Sequence, residues 1–303
     1  MNKYIVTTTI NTPTKALKLY SKLKNWKLIV VLDRKTPQFK LNNAIILNCR
    51  DQEKISKKLS DLIGWNCIQR RNFGFIKAKE LNADIVATID DDNIPLANWG
   101  NNLEFFNKKI TLTKYKTNNY FDPLFVTNYK HLWHRGYPIQ LLNKRKVQSK
   151  KTVSENFDIK ADFWNGDPDI DAICRMEHLP ECKFKNSYFP FSSNKISPFN
   201  SQNTFLSSEV LKDYFLYPWI GRMDDIWASY YVQALGYKVF YDKASVYQKR
   251  NVHDLTVDFE KEILGYKFNH KLLNDISKSP DKISKYLPYK SMKAFEIYRR
   301  LID

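Results

Sequence analysis

The chain has 303 residues, of which 43% are apolar and 15% aromatic, and it carries a formal net charge of +17. That composition supplies a sizeable core and excludes global disorder. No apolar stretch is long enough to span a bilayer, and the opening Met1-Asn-Lys-Tyr-Ile-Val lacks a signal-peptide layout. Cys49, Cys67, Cys174 and Cys182 form neither a CxxC pair nor a zinc spacing, so a cytoplasmic protein with reduced thiols is expected.

Tyr4-Ile-Val-Thr-Thr-Thr-Ile10 is a β-branched run and predicts a first strand. Asn11-Thr-Pro-Thr14 then turns and caps a helix over 15–23. Lys27-Leu-Ile-Val-Val-Leu-Asp33 and Ala44-Ile-Ile-Leu-Asn48 predict two more strands. Strand, helix, strand and strand open a doubly wound α/β sheet. No GxGxxG follows the first strand, so the dinucleotide fingerprint is absent. Thr8, Thr9 and Asn11 at that strand's end are candidates to hydrogen-bond a base or ribose. Asp33 either accepts from a base N–H or starts an ordinary turn.

Residues 68–81 predict an amphipathic helix. Arg70, Arg71 and Lys77 are its cations, and Asn72 follows the arginine pair. They either form a solvated basic face or meet a diphosphate at the helix start. Next comes the most informative stretch, Ile85-Val-Ala-Thr-Ile-Asp-Asp-Asp-Asn93. Its short apolar run predicts a buried strand. Its three carboxylates, Asp90, Asp91 and Asp92, then fall at the C-terminal sheet edge, where open α/β sheets bind ligands. Adjacent anions repel and cannot be buried bare. A hard divalent cation, Mg²⁺ or Mn²⁺, removes that conflict, whereas a solvated turn needs no such strand feeding it. Alternation sends Asp90 and Asp92 one way and Asp91 the other.

Beyond the triplet, residues 121–127 predict a strand and 144–151 an exposed basic loop. His131-Leu-Trp-His-Arg-Gly-Tyr-Pro138 sets a cation and imidazoles among aromatics. Asp167, Asp169 and Asp171 alternate like a calcium loop, but Pro168 and the missing downstream Glu favour a capped helix start. Residues 198–205 read as a polar strand whose amides suit sugar hydroxyls. Asp224 and Asp225 open a helix over 226–235, as caps or as a general base. A last strand covers 238–242, and a helical tail runs from about 255, with a surface that suits either the domain or a membrane.

Four stretches in order resemble one family: Asn72-Phe-Gly-Phe75, Thr88-Ile-Asp-Asp-Asp92, Arg135-Gly-Tyr-Pro138 and Ile220-Gly-Arg-Met-Asp-Asp-Ile-Trp227. The chain resembles the reversibly glycosylated polypeptides, which are UDP-arabinopyranose mutases, and the related STELLO-type glycosyltransferases. Asn165-Gly-Asp-Pro-Asp-Ile-Asp171 and Asn200-Ser-Gln-Asn-Thr204 look closer to the STELLO pattern. The resemblance implies a GT-A fold, a Rossmann-like mixed sheet, over 1–250 with a helical extension over 251–303.

It further implies a metal-dependent glycosyltransferase taking a nucleotide sugar, a UDP-sugar for preference, to a saccharide or lipid-linked acceptor. Asp90 and Asp92 would hold the metal and Asp91 would contact ribose or sugar. Arg135 would be the self-glycosylated arginine of the mutases, and Asp224 and Asp225 the acceptor-side acids. Where the mutases have a histidine after the last strand this chain has Gln248, so the third metal ligand is Gln248 or His253. The +17 charge also fits a peripheral membrane contact. A nucleic-acid-binding module is the distant alternative, since no helix-turn-helix, zinc or RRM signature is present.

Overall fold

The computed structural model describes residues 1–249 and 254–303. In chain order the strands are β1 (Lys3–Thr9), β2 (Lys27–Leu32), β3 (Ala44–Leu47), β4 (Ile85–Ile89), β5 (Asn93–Pro95), β6 (Ile110–Lys116), β7 (Ser149–Glu155), β8 (Ile159–Gly166), β9 (Phe191–Ser193), β10 (Asn203–Ser207) and β11 (Val239–Gln248). The helices are α1 (Lys15–Tyr20), α2 (Cys49–Ile63), α3 (Arg71–Glu80), α4 (Ala172–His178), α5 (Asp224–Ala234), α6 (Leu255–Ile276) and α7 (Tyr289–Ile302).

One mixed sheet joins all the strands in the order β3-β2-β1-β4-β10-β8-β11-β9-β6-β7, with β5 added alongside β11. The first half is parallel: β1 lies between β2 and β4, and β3 pairs with β2. β10 then enters antiparallel between β4 and β8. This is the mixed α/β architecture expected from the sequence. The direction change at β10 sets the polar segment 197–202 beside the end of β4. On its other side β11 is brought near by the pairing of Gln248 with Asn93 in β5.

α3 packs on β1 and β2. Gly74 makes that approach possible, since a Cβ there would lie 2.4 Å from Val6 Cγ1 and 3.0 Å from Val31 Cγ2. α2 was not foreseen in the sequence. Its start is fixed by a capping box in which Asn48 accepts from Asp51 N and Asp51 accepts from Asn48 N.

Other expectations need correction. Residues 121–127 do not form a strand. Asp122 caps Leu124 N, Pro123 offers no donor, and the chain tightens into a 3-10 turn over Pro123–Val126. The basic loop expected over 144–151 becomes β7 from Ser149 onward, a sheet-edge strand paired only with β6, where lysines discourage further pairing. The polar strand expected from 198 starts only at Asn203.

The tail belongs to the packed body. Leu272, Leu273 and Ile276 of α6 and Ala294, Tyr298 and Ile302 of α7 join the common core. α7 lies on α2 and α3, α6 lies on α4, and Tyr298 donates to Leu211 O at 2.6 Å. Among the described residues no helix is long and apolar enough to cross a membrane.

Candidate active site

The C-terminal ends of β1, β2 and β4 border a cleft of about 290 Å³. Thr8, Thr9, Asp33, Arg71, Asp90, Asp91 and Asp92 all line it. The triplet therefore sits where the strand-end argument put it. Its members are held separately. Asp91 accepts from Thr9 Oγ1 at 2.5 Å and from Asn11 Nδ2 at 3.4 Å, while its carbonyl accepts from Thr14, the cap of α1. Burial raises the Asp91 pKa above the usual carboxylate value, against the lowering effect of Thr9 and Asn11. Asp90 turns the other way and accepts from Arg71 Nη2 at 2.7 Å. Asp33 lines the cleft with its oxygens receiving the backbone N–H groups of Arg34 and Cys67.

The arginine pair divides. Arg71, with its side chain 1% exposed, also donates to Ser201 O at 2.8 Å and to Thr88 Oγ1 at 3.2 Å. It thus ties β4, the 197–202 segment and Asp90 together. Arg70 does not reach the cleft. It is buried against Trp65, 3.6 Å from the ring centroid, and donates to Gln52 Oε1 at 2.7 Å and to Ser60. Burial pulls its pKa down to about 10. Asn72 and Lys77 are likewise elsewhere. Asn72 exchanges hydrogen bonds with the Leu216 backbone, and Lys77 pairs with Glu80 at 2.7 Å. None of these three lines either cavity: Arg70 faces α2, Asn72 the 214–217 segment and Lys77 the surface.

A second cavity, of about 430 Å³, adjoins the first through shared walls at Asn66, Cys67, Ile68 and Asp90. Arg135, Asp169, Asp224 and Asp225 line it. Arg135 is clamped. Its Nε and Nη2 donate to Asp169 at 2.7 and 2.9 Å, and its Nη1 and Nη2 to Asp225 at 3.0 and 3.2 Å. Nη1 also donates to the Arg222 carbonyl. All five guanidinium N–H groups are thereby committed. Burial alone would raise Asp169 and Asp225, but the Arg135 charge outweighs it and holds both below the usual carboxylate range.

Asp224 is the contrast. Burial first, and the neighbouring Asp225 charge second, push it up to about 7, although Gln69 Nε2 donates to it at 2.7 Å. Two adjacent carboxylates at the start of α5 are thus driven apart, one fixed as an anion and one poised near neutrality.

Asp169 was read from sequence only as a turn carboxylate. The three acids of that turn do not converge on a cation site: Asp167 pairs with Arg175, Asp171 caps Cys174 N, and Asp169 takes Arg135. The signal was the excess of acids two strands away from an uncommitted arginine. Asn200 and Gln202 were noticed as amides. Asn200 steadies Asp169 at 2.7 Å, and Gln202 lines the second cavity while donating to Gln248 Oε1.

Among the described residues no group of three His, Cys, Asp or Glu side chains is arranged to hold a metal by itself. His253 lies outside the described residues, and the Gln248 side-chain oxygen, Oε1, already accepts from Gln202. The donor set that remains, Asp90 and Asp92 on one cleft wall, is hard oxygen. Mg²⁺ and Mn²⁺ are commonly held by one or two carboxylates, with phosphate and water completing the shell, so these residues fit such an ion.

Two curated relatives from Arabidopsis thaliana match this chain: "Probable glycosyltransferase STELLO1", 22% identical over 256 residues, and "Probable glycosyltransferase STELLO2", 22% identical over 258 residues. The chain is thus distantly similar to two probable glycosyltransferases. The matches cover 77% of this chain and 33% of each STELLO protein, so it spans about a third of their length. The mixed sheet with its C-terminal helices is consistent with a nucleotide-sugar transferase fold and with the STELLO similarity. No family model matches the chain. Among solved structures, A197 from STIV aligns over 83% of this chain and 87% of its own, at 11% identity and a TM-score of 0.38, too remote to carry an argument.

Proposed function

We propose that the protein transfers a sugar from a nucleotide diphosphate, a UDP-sugar for preference, to an acceptor hydroxyl. The carrying observation is the pair of contiguous cavities that share Asp90, one edged by the β4 carboxylates and the other by Asp224. The distant STELLO similarity supports the same reaction class.

On this reading the nucleotide occupies the first cleft, with Thr8, Thr9 and Asp33 around the nucleoside. Asp90 and Asp92 would hold Mg²⁺ or Mn²⁺, which when bound offsets the charge that develops on the departing diphosphate. Arg71 fixes the Asp90 carboxylate and adds its own positive field. Asp224 takes the proton of the acceptor hydroxyl, a task suited to a base whose pKa lies near neutral pH. Gln69, which donates to Asp224, orients that base, and Asp225 and Asp169 stand beside it as anions held by Arg135. Arg135 is then a positioning residue. Its use as a self-glycosylation site would require withdrawing the guanidinium from both carboxylates.

Assays of UDP release from a panel of UDP-sugars, with Mn²⁺ and with chelator, test the proposal. Activity that needs the cation and falls about a hundred- to thousand-fold in Asp92→Asn is expected. Undiminished turnover in a folded Asp92→Asn would refute it. A stable sugar adduct by intact-mass spectrometry, lost in Arg135→Lys, would favour the mutase reading instead.

A further inference from the structure

We propose that Trp219 is the stacking platform for a neutral saccharide acceptor in the second cavity, an inference that rests on the transfer reading above. Trp219 is 54% exposed, yet it is not a loose surface side chain. Its indole N–H donates to Leu62 O at 2.8 Å. The Cη2–Cζ2 edge of the ring lies so close to Gly64 that a Cβ there would be 3.2 Å away. Its backbone has φ +69°, a left-handed conformation unfavourable for a bulky residue. Two residues on, Gly221 also has positive φ, and a Cβ there would meet Lys261 O at 2.1 Å, so this turn is seated against α6 with no room to shift. Strain of this kind persists where the surroundings enforce it, and it clusters at ligand clamps.

The fold thus holds a large aromatic ring, partly exposed, at the wall of the cavity that contains Asp224. A sugar ring has an apolar C–H face and a rim of hydroxyls. An indole face, with its negative quadrupole, suits the former. Planar polar groups suit the latter, and Gln69, Gln202, Ser201 and Arg222 line the same cavity. A lipid tail would offer these polar groups no hydrogen-bond partner in place of the water it displaces. Lys290 Nζ stands 5.4 Å from the ring centroid, but it is exposed and on a flexible stem, free to yield to a ligand. Trp219 and Asp224 belong to one short turn entering α5, so a sugar stacked on the first is presented to the second.

The test uses calorimetric titration of cellotetraose, xylotetraose and maltotetraose into the full chain, with UDP-glucose titrated separately in the presence of Mn²⁺. The variants are Trp219→Gly, which relieves the positive φ, and Trp219→Phe, which keeps a ring. At least one oligosaccharide is expected to bind, with affinity about tenfold or more weaker in Trp219→Gly and largely retained in Trp219→Phe. Unfolding midpoints and UDP-glucose affinity are expected to hold in both. Equal oligosaccharide affinity in Trp219→Gly and the natural chain would overturn the inference, as would binding of none of the three by the natural chain. Loss of UDP-glucose binding by the natural chain would strike the transfer reading and leave the oligosaccharide result to judge Trp219.

Discussion

Asp224 and Asp225 are neighbours in sequence, equally buried, and opposite in behaviour, because one faces Arg135 and the other does not. Burial favours the protonated form of Asp224, so its ionisation costs stability as pH rises from the ordinary carboxylate range to about 7. Asp224→Asn removes that cost. The variant is expected to gain thermal stability relative to the natural chain at pH 8 but not at pH 4, while transfer falls about a hundredfold or more. In the natural chain the rate should climb with pH through about 7, as the base becomes ionised. A flat profile from pH 5.5 to 8.5 would remove Asp224 from that role. Arg135→Ala leaves Asp169 and Asp225 buried without a counter-charge, at a cost of about 3–5 kcal/mol measured by urea unfolding. Both acids are held low, so the stability they contribute is present above the ordinary carboxylate range and fades as pH falls. The Arg135→Ala deficit should therefore shrink in acid. At this scale the sequence revealed which residue types matter better than what each one touches. Arg70 and Arg71 differ by a step of about 100° around a helix. That step sends one to Gln52 and the other to Asp90, and no local pattern sets the phase.

The strands of the parallel half were legible as elements, since β-branched runs such as Ile85–Ile89 bury both faces and have little alternative. α2 was legible too but was passed over: Ile55, Leu59, Leu62 and Ile63 stand at i, i+4, i+7 and i+8 behind the Asn48–Asp51 capping box, the spacing of an amphipathic helix. The 3-10 turn over Pro123–Val126 was misread because its aromatic and branched residues suit a strand, while the controlling bond is the Asp122 cap. α3 carries the element-scale prediction. Ala is a better helix former than Gly by roughly 1 kcal/mol. Gly74→Ala would nonetheless drive a methyl into Val6, 2.4 Å away, and lift α3 with Arg71 from the sheet. A net loss of about 1–3 kcal/mol in denaturant unfolding is expected. A stabilised variant would show that the helix does not need this close approach to hold Asp90.

Across the whole molecule, the mixed sheet brings ends of β1, β2, β4 and β11 to one edge and delivers α5 beside them, so residues as distant in sequence as Thr9 and Asp224 line contiguous space. Asp90, Asp91 and Asp92 were legible as a cluster because they follow one another directly at the end of β4. The second cavity was legible only in part: Asp224, Asp225 and Arg135 were named, whereas Asp169 reaches it through long-range topology and Trp219, on the turn that enters α5, was passed over. The +17 charge remains spread over many elements and selects no single partner.

We propose that the carboxylates closing β4 grip a cation that grips a nucleotide diphosphate. Calorimetric titration of UDP with Mn²⁺ present, then with chelator, into the natural chain and Asp92→Asn tests it most directly. Tight binding that requires Mn²⁺ and weakens about tenfold or more in Asp92→Asn, at an unchanged unfolding midpoint, is the predicted result. Equal UDP affinity in all four titrations, or none in the natural chain with Mn²⁺, would contradict it.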